Sequence, residues 1–448
     1  MLHPDDLDQQ LSALLAAPHW YVGFSGGVDS TVLLHLLHGW CAAQPKAPPL
    51  TAIHVNHNLQ NRATAWQQHC ERVCHALDVP CTSYSVDVPA AGRGEAAARN
   101  ARYAVFEAQL PAAGVLFLGH HLDDQVETFF LRLMRGAGVE GLAGMPRSRA
   151  LGAGLLVRPL LDWPRSAIER YAAEHQLDYV QDPSNNDTAM DRNFLRAQLL
   201  PLLDARWPRY RQSIARASRH LAVAAATIAD LLGAPATVVS VLGDPGLALA
   251  PLLASSPSVA ATRLRAWLRA GGYQAPDSAA LSEFVRQLHA SAADGNPALN
   301  CGSYKLQRYQ RGVFMVPLWD CGPPTESIGL APGESCDVPG VGILAMRPAA
   351  HNGLCLPAGT RLTVSWRRGA LRCRLPGRAG QRSLKAVLQE NQVPPWWRDR
   401  VPLVFLGEEL LAVGDIVRCE SSHWHALPPA GDQLWNFHWE RPADTGSD

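Results

Sequence analysis

Between Trp20 and about Val180, short apolar runs alternate with segments whose apolar residues recur at helical spacing. Runs too short for helices, separated by segments of 3.6-residue period, predict a parallel sheet covered by helices. Strands are expected at Trp20–Phe24, Leu50–Val55, Thr82–Val88 and Val115–Gly119, with helices near Thr31–His38, Ala65–Leu77 and Glu95–Leu110. Ligands of such open sheets gather at the carboxyl ends of strands, so those ends are where a site is sought.

The pattern changes after Pro201. An Ala/Leu/Arg-rich stretch with helical periodicity runs to Ala293, and a strand-like segment follows from Ser303 to Val316. Pro and Gly then cluster from Pro317 to about Gly359, before strand-like pieces at Leu362–Trp366 and Leu403–Phe405. The expected organisation is an α/β catalytic domain (1–200), a mostly helical domain (201–318), a linker (319–358), a small α/β C-terminal domain (359–441) and a disordered tail (442–448).

Composition narrows the functional classes. The chain of 448 residues is 47% hydrophobic and 18% charged, a globular balance that supports more than one core. Lys+Arg and Asp+Glu are both 40, so a polyanionic partner must be met by local patches, not by a global field. The start, Met1 to Asp6, is acidic where a secretory signal is basic, and no apolar run approaches a membrane span. A cytoplasmic protein without a membrane partner is expected. Ten cysteines without a CxxC pair argue against a disulfide framework and a tetrathiolate zinc site.

Five constellations carry chemistry. Ser25-Gly26-Gly27-Val28-Asp29-Ser30 joins an apolar strand to a helix, so glycines and hydroxyls surround a helix N-terminus, a place that binds anions. A plain capped turn, with Asp29 or Ser30 as the cap, is the bland alternative. Gly119 to Thr128 (GHHLDDQVET) places Asp123 and Glu127 at i,i+4 and Asp124 and Glu127 at i,i+3, so the carboxylates can converge on one ligand or a hard cation. Acids at a helix N-terminus also simply complement its dipole, and a metallohydrolase would use them too. His54-Val55-Asn56-His57-Asn58-Leu59 follows a strand. Arg99 and Arg102 lie in a helix, where most arginines are solvated. Finally, Arg192 and Arg196, one turn apart around Asn193, can clamp a phosphate or carboxylate, although surface arginines space the same way.

The loop Ser25–Ser30 resembles the PP-loop of the ATP pyrophosphatase superfamily. In order, SGGVDS, HVNHNL, ARNARY, GHHLDDQVET, RGAGVEGLAGM, RPLL and QDPSNND…RNFLR resemble the tRNA(Ile)-lysidine synthetase family. The likeness continues in Leu375-Pro376-Gly377-Arg378, Ser383-Leu384-Lys385 and Val393 to Leu403. It departs at Gln60, where a basic residue often stands, and at Gln181, usually Glu.

The resemblance implies an ATP-dependent ligation of free L-lysine to C2 of the first-anticodon cytidine of an isoleucine tRNA with a CAU anticodon. The cytidine is adenylylated first, and the product tRNA changes from methionine to isoleucine identity. ATP and Mg²⁺ are the implied cofactors. Ser25, Gly26, Gly27, Val28, Asp29 and Ser30 would hold the phosphates, with His54 and His57 beside the adenosine. Asp123, Asp124 and Glu127 would hold the lysine ammonium or the metal. Arg99, Arg102, Arg192 and Arg196 would engage cytidine, α-phosphate or lysine carboxylate, with Asn193 beside the substrate.

For RNA, the stretch Arg367 to Arg400 carries nine basic residues against Glu390 and Asp399. It includes Arg378, Lys385, Arg398 and Arg400, with Trp396 and Trp397 as possible base-stacking partners or packing residues. A tRNA thiolase would want a cysteine pair that is missing here, and an amidotransferase a glutaminase domain. A non-catalytic RNA-binding protein would leave the phosphate loop unexplained.

Overall fold

The computed structural model describes the chain apart from residues 1, 57–62, 87–94, 182–189, 293–294, 320, 358, 367–370, 379, 430–431 and 443–448. His57, Gln60, Arg367, Arg368 and nearly all of the expected tail 442–448 therefore lie outside the described residues. Two compact units divide it, Met1–Leu231 and Leu232–Asp448.

In the first unit the strands and helices alternate as β1 (Trp20–Gly23), α2 (Val28–Ala43) after a short α1 (Asp8–Ser12), β2 (Leu50–Asn56), α3 (Ala63–Ala76), β3 (Cys81–Ser85), α4 (Glu95–Gln109), β4 (Val115–Phe117) and α5 (Leu122–Met134). Next come α6 (Val139–Leu142), the β5–β6 hairpin (Ser148–Leu151, Gly154–Val157) and α7 (Arg165–Glu174). The sheet order is β3-β2-β1-β4-β6-β5, parallel except for β5. The chain leaves β1 toward β2 and β3, then crosses back to β4 on the other side. A crevice therefore opens between the carboxyl ends of β1 and β4, where doubly wound sheets bind ligands. Helix α2 is buried on nearly every side (Val32, Leu33, Leu34, Leu36, Leu37, Trp40), so its N-terminus is rigidly aimed. Trp20 and Trp40 stack at 5.4 Å and Phe117 meets Trp20 edge-on at 5.1 Å, each ring worth about 2–3 kcal/mol of burial.

The first unit runs past residue 200. After α8 (Asp191–Phe194), a π-helical turn (Leu195–Leu199) and α9 (Leu200–Arg206), helix α10 (Tyr210–Leu232) begins within it. Tyr210 and Leu200 pack on Val126 of α5, which ties to the first unit a residue, Tyr210, that sequence periodicity alone assigns to the helical middle.

In the second unit, α11 (Leu249–Leu253), α12 (Pro257–Ala270) and α13 (Ser278–Ala290) pack on an antiparallel sheet. Its strands are β7 (Thr237–Val239), β8 (Pro245–Ala248), β9 (Ala298–Asn300), β10 (Tyr304–Tyr309) and β11 (Gly312–Pro317), in the order β7-β8-β11-β10-β9. Residues 319–358 do not form the expected linker. They contain β12 (Ile328–Leu330), β13 (Ser335–Val338), β14 (Gly342–Ala349) and β15 (Gly353–Cys355). Their glycines punctuate tight turns between short strands, and β14 pairs along its length with β23 (Leu434–Glu440). Two five-stranded antiparallel sheets complete the unit, β12-β16-β19-β20-β21 and β13-β14-β23-β15-β22. Their remaining strands are β16 (Leu362–Ser365), β19 (Leu403–Leu406), β20 (Glu409–Val413), β21 (Val417–Arg418) and β22 (Trp424–His425). A small ribbon of β17 (Arg372–Arg374) and β18 (Gln381–Ser383) leads into α14 (Leu384–Glu390).

Candidate active site

The loop between β1 and α2 is folded by its own hydroxyls. Ser25 and Ser30 bring their Oγ atoms to 3.0 Å, the Ser25 amide donates to Ser30 Oγ at 3.2 Å, and Ser30 and Thr31 hydroxyls donate to the Gly27 carbonyl at 3.0 Å. Gly26 has φ +79°, and a Cβ there would lie 2.9 Å from Cys70 Sγ, so only glycine fits. Gly27 is the N-cap and no side chain caps the helix. The bland reading of Asp29 or Ser30 as a cap therefore fails, and the first-turn amides of α2 keep their donor capacity for an anion. His54 is buried on β2, its Nδ1 bound to the Phe24 carbonyl at 2.9 Å and 3.4 Å from Cys70 Sγ. Burial pushes its pKa down, with Arg102 adding to the effect against Phe24 and Glu71, so it braces the loop as a neutral ring.

The end of β4 presses on the same loop. A Cβ at Gly119 would lie 2.9 Å from the Asp29 carbonyl oxygen, so the end of β4 and the first turn of α2 approach backbone to backbone. His121 caps α5 in a reciprocal box: its Nδ1 accepts from the Asp124 amide and Asp124 Oδ2 accepts from the His121 amide at 3.0 Å. Its Nε2 lies 3.5 Å from both Asp29 and Asp124, linking the loop to α5. Burial opposes its protonation, but Asp124, Asp29 and Asp123 outweigh that and raise its pKa. Burial likewise pushes Asp124 upward, but His121, His120 and Arg196 prevail and lower it.

Asp124 and Glu127 share Arg196, which binds Glu127 through two nitrogens at 2.5 and 2.9 Å and reaches Asp124 at 3.3 Å. Arg192 Nε adds a contact to Glu127 at 3.2 Å. Burial raises the Glu127 carboxyl, with Asp124 adding to the effect, against the pull of Arg196 and Arg192. Asn193 is buried between these arginines in sequence. The π-turn that follows is the irregularity that such sites often carry. Asp123 does not join them, contrary to the i,i+4 expectation. Its carboxylate accepts from Arg211 Nε at 2.6 Å and from the Arg165 amide at 2.8 Å, and Arg211 also grips Asp204. It ties α5, α7 and α10 together.

Sequence reasoning missed several residues. Gln125 exchanges hydrogen bonds with both backbone groups of Met145 (2.7 and 2.8 Å), and Arg132 donates to the Gly141 and Gly144 carbonyls, so α5 shapes the glycine-rich loop 136–144. The signal was their place on the α5 stripe that faces the loop. Arg99 donates to the Tyr103 hydroxyl at 3.1 Å, while Arg102 is exposed on the same helix near enough to His54 to depress it. Among the described residues no three His, Cys, Asp or Glu side chains converge as a metal-binding group. No described helix is long and apolar enough to cross a membrane.

Residues 5–203 match the family model described as a PP-loop domain, 247–314 the TilS substrate binding domain and 362–439 the TilS substrate C-terminal domain. The chain is 40% identical over 425 residues to a tRNA(Ile)-lysidine synthase of Alkalilimnicola ehrlichii, covering 93% of both chains. It belongs to the tRNA(Ile)-lysidine synthase family. A Pseudomonas putida relative of the same name is 39% identical over 97% of this chain and 98% of its own. A solved U34-tRNA thiolase from Methanococcus maripaludis is similar over 49% of this chain and 77% of its own, with 19% identity and a TM-score of 0.41. As a member of the tRNA(Ile)-lysidine synthase family the chain is an enzyme, a ligase built on a PP-loop domain.

The family's C-terminal segment holds the remaining candidates, in the second unit. Arg378 is exposed and paired with Glu390 at 2.6 Å, and Lys385 is exposed on α14. Arg378, Arg418, Trp424 and His438 line a cleft of about 720 Å³. In the basic stretch the packing alternative holds for the two tryptophans, and the expectation for Arg400 is corrected. Trp396 packs against Tyr309 and Phe314 at 5.8 Å, and Trp397 is buried with its Nε1 donating to Asp244 at 2.8 Å, so both aromatics stabilise the fold. Arg400 is buried over the Trp319 ring and donates to the Gly340 and Cys321 carbonyls, which removes it from any phosphate surface. Arg398 is half-buried with its Nε on the Val393 carbonyl.

Proposed function

We propose that the protein joins free L-lysine to C2 of the first-anticodon cytidine of isoleucine tRNA(CAU), consuming ATP through an adenylylated cytidine and converting a methionine-type tRNA to isoleucine identity. The observation that carries this reading is the meeting of an uncapped, glycine-built helix N-terminus with the Asp29–His121–Asp124–Arg196 chain at one sheet crevice. The loop Ser25–Ser30 takes the β,γ-phosphates by its amides and hydroxyls. Asp29 Oδ1 is buried and meets only the His121 ring, at 3.5 Å, among the described residues; with the phosphates bound, this carboxylate would be the protein ligand of a Mg²⁺. Such an ion would neutralise charge on the departing pyrophosphate.

Cytosine O2 attacks the α-phosphorus, the bond to the β-phosphate oxygen breaks, and pyrophosphate leaves. The lysine ε-amine then attacks C2, loses a proton, and AMP departs with the former O2. Arg192 and Arg196 are the cations closest to this chain of carboxylates and stabilise the anionic phosphorus or the lysine carboxylate. Asp124, held ionised by its neighbours, attracts the lysine ammonium. The segment 201–318, with its helices and five-stranded sheet, and the C-terminal segment 359–441, with Arg378, Lys385 and Arg398, hold the tRNA body, and the enzyme acts in the cytoplasm. The test is AMP and pyrophosphate release with purified tRNA. Release that requires both lysine and a CAU tRNA with cytidine at the first anticodon position is expected, and release indifferent to that cytidine would refute the assignment.

A further inference from the structure

Outside the chain of carboxylates just described, the first unit gathers positive charge around one tyrosine. The Cζ atoms of Arg99, from α4, and Arg149, from the edge strand β5, lie over the Tyr103 ring at 4.9 and 5.1 Å from its centroid. Arg99 also donates to the Tyr103 hydroxyl at 3.1 Å. Arg158, just beyond β6, is 2% exposed; its Nη1 donates to the Pro146 carbonyl at 2.7 Å and its buried Nε has no hydrogen-bond partner among the described residues. None of these three arginines pairs with a carboxylate among the described residues. Burial, together with the charges of Arg149 and Arg99, holds the Arg158 guanidinium below its ordinary pKa despite Tyr103. Next to it, burial chiefly pushes His120 down to about 4, so this ring stays neutral, with its Nδ1 also unpaired.

Two guanidiniums stacked on one ring, with a third buried within reach of their charge and no carboxylate pairing any of them among the described residues, repel one another until an anion arrives. We propose that Arg99, Arg149 and Arg158, arranged by Tyr103, form a site for a phosphodiester of the RNA substrate close to the nucleoside being modified. An RNA backbone suits the site better than a lone carboxylate. A single carboxylate is satisfied by one bidentate arginine, whereas Arg149 extends the charge to the exposed edge of the sheet. His120 precedes His121, the residue that touches Asp29, so the site adjoins the phosphate loop.

This inference rests on the substrate being a tRNA, and the test separates the two. Binding of the CAU tRNA to the full chain is titrated from low to high salt for the unaltered protein, Arg149→Gln and Arg149→Lys. Arg149 is exposed, so the replacements keep the fold, which unchanged thermal unfolding verifies. Arg149→Gln is expected to reduce the slope of log affinity against log salt by about 0.7–0.9, one phosphate contact, and Arg149→Lys to restore it. The Michaelis constant for lysine at saturating tRNA stays at the unaltered value. An unchanged slope overturns the proposal, and so does a raised lysine Michaelis constant with an unchanged slope, which would make this an amino-acid carboxylate site. If the unaltered protein does not bind the tRNA, it is the reading of its substrate that fails.

Discussion

Replacing Glu127 by Gln keeps the shape of the side chain and removes its charge. The native carboxylate is only 2% exposed and holds Arg196 through two nitrogens and Arg192 through one, while each arginine keeps 28% of its side chain in contact with solvent. Breaking a buried pair by deleting one partner costs about 3–5 kcal/mol, because the other charge is left uncompensated. Partial exposure of the arginines and the remaining 3.3 Å contact from Arg196 to Asp124 place the expected cost near the lower end, about 3 kcal/mol. For a unit of this size each kcal/mol lowers Tm by about 2–4 °C, so a fall of about 6–12 °C is expected by calorimetry. The pair is isolated by a cycle with Arg196→Gln and the double variant. If the two groups act as one ion pair, the double variant is far less destabilised than the sum of the singles, by about 1–3 kcal/mol. Additivity within about 0.5 kcal/mol, or a Tm change below about 2 °C, would refute the reasoning.

Gly119→Ala puts a methyl group 2.9 Å from the Asp29 carbonyl, which cannot move without displacing the loop, and ATP-dependent AMP release should fall at least tenfold while the chain still folds. Asp124→Asn keeps the cap geometry but removes the charge facing His121 and Arg196; lysine incorporation should be lost with the fold intact, and normal turnover would sink the assignment. His121 has a raised pKa in the folded state, so its stabilisation is fully present below the unfolded value of about 6.5 and is lost as pH rises through the folded value. The Tm gap between the unaltered protein and His121→Gln should therefore shrink as melts move from pH 6 upward, and a gap that widens contradicts the sign. Arg400→Gln strips two carbonyls and an aromatic ring of a buried partner, so Tm should drop while the salt slope of tRNA binding stays unchanged.

The phosphate loop was legible because its chemistry is local. Two glycines and two serines at a strand-to-helix junction have few other uses, and the hydrogen bonds that fold the loop span at most five residues. The expected strands at Trp20, Leu50 and Val115 were legible for a similar reason, since short apolar runs between amphipathic helices leave few alternatives to a parallel sheet. Asp123 was misassigned because helical spacing gives a direction but not a partner. Its ligand, Arg211, lies 88 residues away on a helix that periodicity alone would give to another domain. The stretch 319–358 was misread because glycine and proline mark turns between short strands as readily as linkers. Only the register of Gly342–Ala349 with Leu434–Glu440, which no local pattern contains, distinguishes them.

Arginine is where sequence reasoning fails most systematically, in both directions. A charge count treats each one as solvated, so it credits Arg400 to an RNA surface although that side chain is spent on two carbonyls and a tryptophan. The same assumption gives no weight to Arg158, one basic residue in an apolar run, which the fold buries beside His120 with a nitrogen unpaired. Burial inverts the meaning of the charge in each case. A buried guanidinium whose donors are all met by the chain is structural, whereas one left with an unmet donor beside other cations keeps an electrostatic demand that only an anion can satisfy. The chain of Asp29, His121, Asp124, Glu127 and Arg196 obeys the same rule: its charges already alternate, so a ligand that enters there has to exchange partners. Asp124 is the cheaper exchange, because its contact with Arg196 is single and longer, while Glu127 would surrender a bidentate pair. On the proposed reading, an incoming lysine ammonium would compete for Asp124 first and leave Glu127 holding Arg196 and Arg192 in place.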